Sequence, residues 1–204
     1  MQYNPKIHRR RSIRLADYDY SAEGLYFVTI NIKGRDCYFG HVEKGKMCLS
    51  EVGEVANQCW IDIPKHYPDV ILHSHVIMPN HVHGIIEISD REEDDFEASE
   101  RGFRVSPNPA HFGLQAGTKR HQFQKTLPRS LGAIVRGYKI GVTKWWRANT
   151  DLHTIWQRNY YENIIRDYEA FKNITAYIEN NPQAWKQDEF YKKGIIDLEL
   201  RKRG

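Results

Sequence analysis

The chain has 204 residues, a formal net charge of +4 and 40% hydrophobic residues. This length suits one domain with a real core and is short for two. A run of eighteen apolar residues is missing, and so is the apolar stretch of a secretory signal near the N-terminus. The three cysteines lack metal-type C-x-x-C spacing and are interpreted as reduced thiols. We therefore expect a cytoplasmic protein without a membrane segment.

Positive charge is distributed unevenly along the chain. Residues 90–100 hold seven acidic residues and one arginine, so the rest of the chain carries a net charge of about +10. Basic residues cluster at 8–14, across 136–147 and at 201–203. Such clusters are typical of nucleic-acid binders, in which lysine and arginine displace the counterions of phosphates. Solvation of the chain ends is the alternative explanation for the two terminal clusters.

The first half of the chain predicts a basic arm followed by strands, a hairpin and a helix. Residues 1–20 form the arm, and the β-branched and aromatic residues of 25–32 indicate a central strand. Residues 38–49 suggest a hairpin with a glycine turn. Ser50 is a suitable N-cap for a helix over 51–66 with an apolar face.

Two further strands precede a change in composition. Residues 70–78 and 82–88 are strand-like runs separated by Pro79-Asn80. Residues 89–128 are acidic at first and then rich in Gly, Pro, Asn and Gln, without a sustained hydrophobic period. We interpret this segment as a flexible insertion within the domain and not as a second domain.

The last third predicts two helices and a basic tail. Residues 130–147 and 168–180 have helical spacing, and we expect the second helix to end just before Pro182. The order of elements lacks the regular alternation of a doubly wound fold. It favours an α+β, ferredoxin-like antiparallel sheet with helices packed on one face. The predicted catalytic domain spans 21–186, and the tail spans 187–204.

The segment Met78-Pro79-Asn80-His81-Val82-His83 suggests a metal site. Side chains i and i+2 of a strand lie on the same face, so His81 and His83 present two imidazoles side by side. Two imidazoles can bind one divalent cation and leave positions open for a substrate. The alternative is chance, because the chain contains ten histidines.

A tyrosine and an asparagine on the last predicted helix complete a possible centre. Tyr177 and Asn181 are four residues apart and share one helix face if the helix reaches Asn181. The amide oxygen can act as a third metal ligand, and the phenol oxygen can attack a phosphodiester that the metal polarises. The free phenol has a pKa of about 10, so nearby positive charge must favour the phenolate.

These elements together resemble the REP-associated tyrosine transposases of the HUH single-tyrosine superfamily. The resemblance implies a ferredoxin-like core, Mg²⁺ or Mn²⁺, and cleavage and joining of single-stranded DNA beside imperfect hairpins. It assigns His81 and His83 to the metal, Tyr177 to the nucleophile, and Asn181 to a supporting metal ligand. The segments that carry the resemblance are 11–15, 26–29, 78–83, 156–161 and 177–182.

Other residues compete for these roles. Tyr160 and Tyr161 are rival nucleophiles, and the alternative for Tyr177 is a tyrosine that anchors the last helix in the core. His73 and His75 form a second H-x-H pair, which we assign to the sheet or a groove because Pro79 interrupts the run. Glu87 shares the strand parity of His83, and we interpret it as a solvated carboxylate at the sheet edge.

The predicted DNA-binding residues combine cations with aromatic rings that can stack on unpaired bases. Core packing is the alternative for the aromatic residues, and we favour it for Trp145. The assigned residues are Arg9, Arg10, Arg11, Arg14, Arg136, Lys139, Trp146, Arg147, Trp156, Arg158 and Tyr160.

The resulting hypothesis is a metal-dependent, single-tyrosine DNA transposase that forms a 5′-phosphotyrosine intermediate on single-stranded DNA with hairpins. A rolling-circle-type relaxase or replication initiator is the alternative enzyme. A non-catalytic protein that binds DNA hairpins is the alternative without chemistry. The sequence leaves open a monomer or a homodimer.

Overall fold

A computed structural model describes residues 22–89 and 129–192 of the chain. The predicted basic arm with Arg9, Arg10, Arg11 and Arg14, nearly all of the insertion over 89–128, and residues 193–204 lie outside this part. Within the described ranges, none of the helices combines the length and apolar character needed to cross a bilayer.

Four antiparallel strands form the main sheet, and two short strands form a separate hairpin. The main sheet has the order β4-β5-β1-β6, which is the order of a ferredoxin-like split βαβ arrangement. The hairpin pairs β2 with β3. The strands are β1 (Gly24–Asn31), β2 (Gly40–Glu43), β3 (Lys46–Leu49), β4 (Val70–Met78), β5 (His81–Ile88) and β6 (Tyr161–Ile165).

Helices α1 and α3 pack together on one face of the sheet and enclose the main hydrophobic core. Ser50 caps α1 by accepting the backbone N–H of Gly53, as the sequence predicted. Ser130 caps α3 in the same way through Ala133. The helices are α1 (Glu51–Ile61), α2 (Ile63–His66), α3 (Leu131–Asn149) and α4 (Tyr168–Ala184).

Trp60 of α1 lies directly on strand β5. A Cβ atom built on Gly84 would be only 2.2 Å from Cζ2 of the Trp60 indole, so only glycine permits this approach. The indole is fully buried, stacks on His75 and meets the Tyr138 ring edge-on. This close packing fixes β5 from the side opposite to its histidines.

Helix α4 lies on the other face of the sheet. Its Ile178 packs with Leu25, Ile85 and Ile165, which alternate along their strands with the side chains of the main core. Asp167 caps the helix through the N–H of Ala170. The predicted ferredoxin-like α+β fold is therefore confirmed, but the expectation of all helices on one face is not met. Helices α1 and α3 pack on one face, and α4 packs on the other.

Three predicted boundaries differ from the structure. The helix over 51–66 is divided at Asp62 into α1 and α2, and α2 carries a proline in its first turn. Helix α4 continues through Pro182 to Ala184, so the expected end before this proline is wrong. Strand β6 was not predicted, because its Tyr-Glu-Asn-Ile-Ile sequence is short and polar.

The described C-terminal residues belong to the packed domain. A 3₁₀ turn over Trp185–Gln187 follows α4, and Phe190 is buried with Trp185, Cys37 and Met78. Phe190 thus lies beyond the predicted domain end at residue 186 and packs against residues inside the predicted domain.

A β-bulge separates the two histidines of β4. The register with β5 shifts between Leu72 and His75, which places His73 and His75 on opposite faces. His73 bonds Glu87 and meets Phe171 of α4, whereas His75 bonds Asn57 and stacks on Trp60. Both histidines are residues of the sheet, as predicted, and Glu87 is the hydrogen-bond partner of His73.

Candidate active site

His81 and His83 lie side by side on the central strand β5 and face α4. Their ring centroids are 4.5 Å apart, and both side chains are buried. In the antiparallel register they stand opposite Asn31 and Thr29 of β1. The prediction that the two imidazoles share one face of a strand agrees with this geometry.

Hydrogen bonds fix the ring of His81 and leave its Nε2 without a partner among the described residues. Both amide hydrogens of Asn80 donate, to the carbonyls of Arg35 and Phe190, so its Oδ1 is left to accept. That oxygen is 2.9 Å from His81 Nδ1, which must therefore carry the ring proton. His81 Nε2 is buried without a hydrogen-bond partner among the described residues. Its lone pair is available to a ligand.

His83 is held by partners at both ring nitrogens. Nδ1 is 2.9 Å from the hydroxyl oxygen of Thr29, and Nε2 is 3.3 Å from the hydroxyl oxygen of Tyr177. The ring also stacks on Phe27 at a centroid distance of 5.3 Å. Such second contacts set the orientation of an imidazole before a metal binds.

Tyr177 and Asn181 both project from α4 toward the histidine pair. Tyr177 is 46% exposed, so its phenol contacts His83 and remains accessible to a large substrate. Asn181 is buried, and its Oδ1 has no hydrogen-bond partner within the described part of the chain. Two unpartnered buried atoms, His81 Nε2 and Asn181 Oδ1, thus belong to residues that the sequence assigned to a single metal.

Burial keeps both histidines neutral. It holds the pKa of His81 well below its usual range, and His83 and Arg35 lower this pKa further. Burial lowers the pKa of His83 to about 3. Neutral imidazole is the form that binds a cation, so both rings are ready as ligands at physiological pH.

The phenol of Tyr177 has a raised pKa. Burial is the largest cause, and the carboxylate of Asp188 raises the pKa further, whereas the Asn181 amide opposes this shift. Because His83 has a pKa of about 3, it does not take the phenol proton at neutral pH. Formation of a phenolate at Tyr177 would therefore require positive charge from a bound ligand.

Asp188 is a site residue that the sequence reasoning missed. A carboxylate oxygen of Asp188 lies within 4.8 Å of ligand nitrogens of His81 and His83. Trp185 and Phe190, on either side of Asp188 in the sequence, pack against the His81 ring. The available signal was an acidic pair soon after the Tyr177 helix, but we had assigned residues from 187 onward to a basic tail.

The donor set fits a divalent cation. It offers two imidazole nitrogens, one amide oxygen and one carboxylate oxygen, and two of these atoms, His81 Nε2 and Asn181 Oδ1, lack a hydrogen-bond partner among the described residues. Oxygen ligands suit Mg²⁺ and Mn²⁺, and imidazole adds affinity for the transition metal. The residues therefore fit the predicted cofactor, Mg²⁺ or Mn²⁺.

The rival tyrosines lie farther from the histidines. Tyr161 opposes Thr29 in the register of β6 with β1, so it shares the face of His83 but lies two strands away. Two interstrand spacings amount to about 10 Å. Tyr160, just before β6, lines a groove beside α3. Of these three tyrosines, Tyr177 is the one whose hydroxyl lies within hydrogen-bond distance of the histidine pair.

Most of the predicted cationic DNA contacts within the described ranges are exposed, and Lys139 is the exception. Arg136, Arg147 and Arg158 are exposed at the surface. The Lys139 amine donates to the carbonyls of Gln157 and Asn159, and burial lowers its pKa to about 8. Lys139 therefore holds the loop before β6 in place and is less available to a phosphate.

Two predicted stacking residues belong to the core. Trp146 is fully buried and packs against Tyr38, so a base cannot reach its ring in this conformation. Trp156 is 8% exposed, and its indole N–H donates to the carbonyl of Lys139. Burial disfavours base stacking by either ring, and both assignments stay predictions. On α3 the neighbouring Trp145 is half-buried and packs against the main core, which agrees with the core packing favoured for it.

A histidine pair on a ferredoxin-like sheet, faced by a tyrosine and an amide from one helix, defines a candidate phosphoryl-transfer centre. A search of family models gives no match. An uncharacterized protein of Haemophilus influenzae is 43% identical over 190 residues, covering 93% of this chain and 97% of that protein. The chain belongs to the family of this Haemophilus influenzae protein.

Two further proteins connect the chain to a named group. A Haemophilus influenzae protein named "Putative REP-associated tyrosine transposase" is 22% identical over 164 residues, which cover 80% of this chain and 73% of that protein. A solved REP-associated tyrosine transposase bound to a REP hairpin has the same fold, with a TM-score of 0.51 and 16% identity. That match covers 93% of this chain and 98% of the solved one. The resemblance to REP-associated tyrosine transposases is confirmed.

Proposed function

We propose that the protein is a metal-dependent, single-tyrosine DNA transposase that cleaves and rejoins single-stranded DNA next to hairpins. The similarity to REP-associated tyrosine transposases supports a transposase role and hence a DNA-processing enzyme. The solved relative is bound to a REP hairpin, which supports hairpin DNA as the partner.

One observation carries the proposed chemistry. The Tyr177 hydroxyl lies 3.3 Å from Nε2 of His83, beside the unpartnered buried atoms His81 Nε2 and Asn181 Oδ1. An unpaired buried polar atom is destabilising unless a ligand completes it, and these two atoms belong to residues assigned to one metal. A nucleophile at the mouth of such a site is the arrangement that phosphoryl transfer needs.

In the proposed reaction Tyr177 is the nucleophile. Its phenol gives up its proton, its oxygen forms a bond to phosphorus, and the bond from phosphorus to the 3′-oxygen breaks. The 3′-oxygen leaves as a hydroxyl, and the 5′-phosphate stays on Tyr177. A second 3′-hydroxyl reverses this step and releases the tyrosine, so strands are rejoined without an external energy source.

His81, His83 and Asn181, with Asp188 as an added carboxylate, would hold Mg²⁺ or Mn²⁺. When bound, the ion supplies positive charge beside the reacting phosphate. The chain itself contributes orientation, since Asn80 and Thr29 fix the two imidazoles. Burial contributes too, because it keeps both rings unprotonated and able to bind the ion.

One chain carries the complete set of groups. Tyr177 contacts His83 of its own chain, so the proposed reaction needs no second copy to supply the nucleophile. A monomer therefore suffices for cleavage. The proposal of a monomer rests on the packing of α4 against the sheet of its own chain.

The outer side of α3 is the proposed surface for the DNA hairpin. A groove of about 660 Å³ there is lined by Arg136, Lys144 and Arg147, with Asn159 and Tyr160 at one side. Tyr160 leads directly into the edge strand β6, on the way from this groove to the candidate active site. The single-stranded DNA next to a DNA hairpin bound in this groove can thus pass around β6 and reach Tyr177. Arg158 and the basic arm with Arg9, Arg10, Arg11 and Arg14 would add phosphate contacts.

The test is formation of a covalent protein–DNA adduct. The full chain is incubated with hairpin-flanked single-stranded DNA and Mn²⁺, and adducts are separated under denaturing conditions. We expect an adduct with the wild type and a loss of at least about 10³-fold with Tyr177→Phe, because the attacking oxygen is gone. Tyr161→Phe is the matched control, since Tyr161 is a similarly exposed tyrosine on the same sheet face.

The alternatives give different results. An adduct that persists in Tyr177→Phe and disappears in Tyr161→Phe assigns the nucleophile to Tyr161. Hairpin binding without any adduct, unchanged by EDTA or by His81→Ala, identifies a binding protein without catalysis. Cleavage that requires a double-stranded nick site and no hairpin points to a relaxase.

A further inference from the structure

The β2–β3 hairpin carries a second group of metal-type donors, away from the histidine pair. His41 stands directly opposite Cys48 in the antiparallel register, and Glu43 follows His41 by two residues on the same face. One donor atom from each of the three side chains lies within 4.8 Å of the others. His41 and Cys48 are half-buried, and Glu43 is exposed, so solvent can deliver an ion to this face.

The chemistry of these donors differs from that of the Tyr177 site. An imidazole, a thiolate and a carboxylate form the set that binds Zn²⁺, whereas Mg²⁺ avoids sulfur. Zinc bonds of about 2.0–2.3 Å place tetrahedral donors roughly 3.3–3.8 Å apart. The three donor atoms lie within 4.8 Å of one another, so Zn²⁺ binding draws them together. The Lys44–Glu43 ion pair on this hairpin is exposed, with 3.7 Å between its charged atoms, and gives little opposition.

The opposite face of the hairpin is packed against the domain. Val42 joins the cluster of Trp185 and Phe190, whose rings lie against His81. At the turn, a Cβ on Gly45 would be 3.2 Å from Gln183 Cγ, so the turn rests on the last part of α4. The hairpin thus supports the end of the helix that carries Tyr177 and Asn181.

We propose that His41, Glu43 and Cys48 form a three-ligand site for Zn²⁺, with a fourth position open to water. Binding removes the thiol proton to the solvent and joins β2 to β3 across their one cross-strand His–Cys pair. A two-stranded hairpin is only marginally stable alone, so such a bridge holds its strands in register beneath α4. The site does not depend on the proposed transposase activity.

Cobalt is the probe for this site, because only a thiolate ligand gives a sulfur-to-cobalt charge-transfer band. Reduced full-length protein is titrated with Co²⁺ and then with Zn²⁺, which displaces it. The proposed ligands of the histidine centre contain no sulfur, so the band reports a cysteine ligand, and its loss in Cys48→Ser assigns it to the hairpin. We expect the band in the wild type and its loss in Cys48→Ser, with at least tenfold weaker cobalt binding in His41→Ala.

Cys59→Ser is the matched control, since Cys59 is also a half-buried free thiol and lies on α1. It should keep the band with unchanged affinity. The proposal is overturned if folded wild type gives no band, or if the band survives Cys48→Ser and disappears in Cys59→Ser. Circular dichroism of each variant separates loss of a ligand from loss of fold, and His41→Gln gives a second test at another ligand.

Discussion

The two faces of the main sheet are built in different ways. Helix α3 buries seven residues in its 19, among them Leu131, Ile134 and the full indole of Trp146. Helix α4 is almost as long, with 17 residues, but buries only Ile178 and the polar Asn181. The first face is a continuous apolar core. The second contains the buried polar side chains of His81, His83 and Asn181. Buried atoms without partners among the described residues occur on both faces, among them His81 Nε2, Asn31 Oδ1 and Asn181 Oδ1 on the second face and Trp60 Nε1, Tyr138 Oη and Trp146 Nε1 in the main core.

One face of the sheet thus contributes mainly to stability, and the other holds the residues of the proposed chemistry. The α1–α3 face provides the burial of apolar area that drives folding. The α4 face keeps unsatisfied donors and acceptors, which lower stability unless a ligand completes them. Strand β5 contributes side chains to both faces, because His81 and His83 face α4 whereas Val82 faces the main core. On the core side, Trp60 packs against β5 at Gly84. Rigid support on one side thus permits a polar, less packed site on the other.

The largest expected effect tests the apolar face. Trp60→Ala should lower the free energy of unfolding by about 3–5 kcal/mol, because it leaves a cavity against Gly84 and Tyr138. Urea unfolding measured by circular dichroism checks this value. Tyr168→Ala on α4, where the ring is 52% exposed, should change it by less than about 1 kcal/mol. Equal effects of the two substitutions would contradict the division between the faces.

A smaller effect, of opposite sign for stability and activity, tests the α4 face. Asn181→Leu replaces a buried amide, whose Oδ1 lacks a partner among the described residues, by an apolar group of similar volume. In EDTA we expect the free energy of unfolding to rise by about 1 kcal/mol, since the unsatisfied oxygen is gone. Adduct formation with Mn²⁺ should fall at least about tenfold, because a proposed ligand is lost. A variant that is both less stable and fully active would show that Asn181 is a structural residue.

The last prediction concerns the polar boundary of the apolar face. Burial lowers the pKa of Lys139 to about 8, whereas an unfolded lysine titrates near 10.4. Between these values the unfolded chain keeps a proton that the folded chain releases, so this contribution to stability rises with pH and is constant below pH 8. Lys139→Met removes the titration. We expect the wild type to gain stability relative to the variant from pH 7.5 to pH 10 in urea unfolding, and parallel pH curves would refute the shift.

The fold was predictable where short-range pattern and packing agree. The central strand, the hairpin, the Ser50 cap and the helix over 130–147 all follow periodicity or local hydrogen bonding, and all are found in the structure. Strand β6 was not predictable, because its five residues form a strand only through pairing with β1. Pro182 gave a false end, because α4 tolerates the lost hydrogen bond within a packed helix.

The site was predictable only in part. His81, His83, Tyr177 and Asn181 follow strand and helix periods, so their convergence was foreseen. Asp188 reaches the site through a 3₁₀ turn whose direction the sequence does not encode locally. The burial of Trp146 was not predicted. Adjacent residues of a helix point about 100° apart, and the sequence reasoning placed Trp145 instead of Trp146 on the core face of α3.

The β-bulge in β4 has a consequence for association between molecules. Strand β4 is an edge of the sheet, and a regular nine-residue edge would offer a straight template to a second copy. The shifted register between Leu72 and His75 twists that edge and interrupts its row of pairing groups. Sheet-to-sheet joining of two copies along β4 is thereby disfavoured. The bulge thus disfavours aggregation of the protein through the β4 edge, beside the hydrogen-bonded pair of His73 and Glu87.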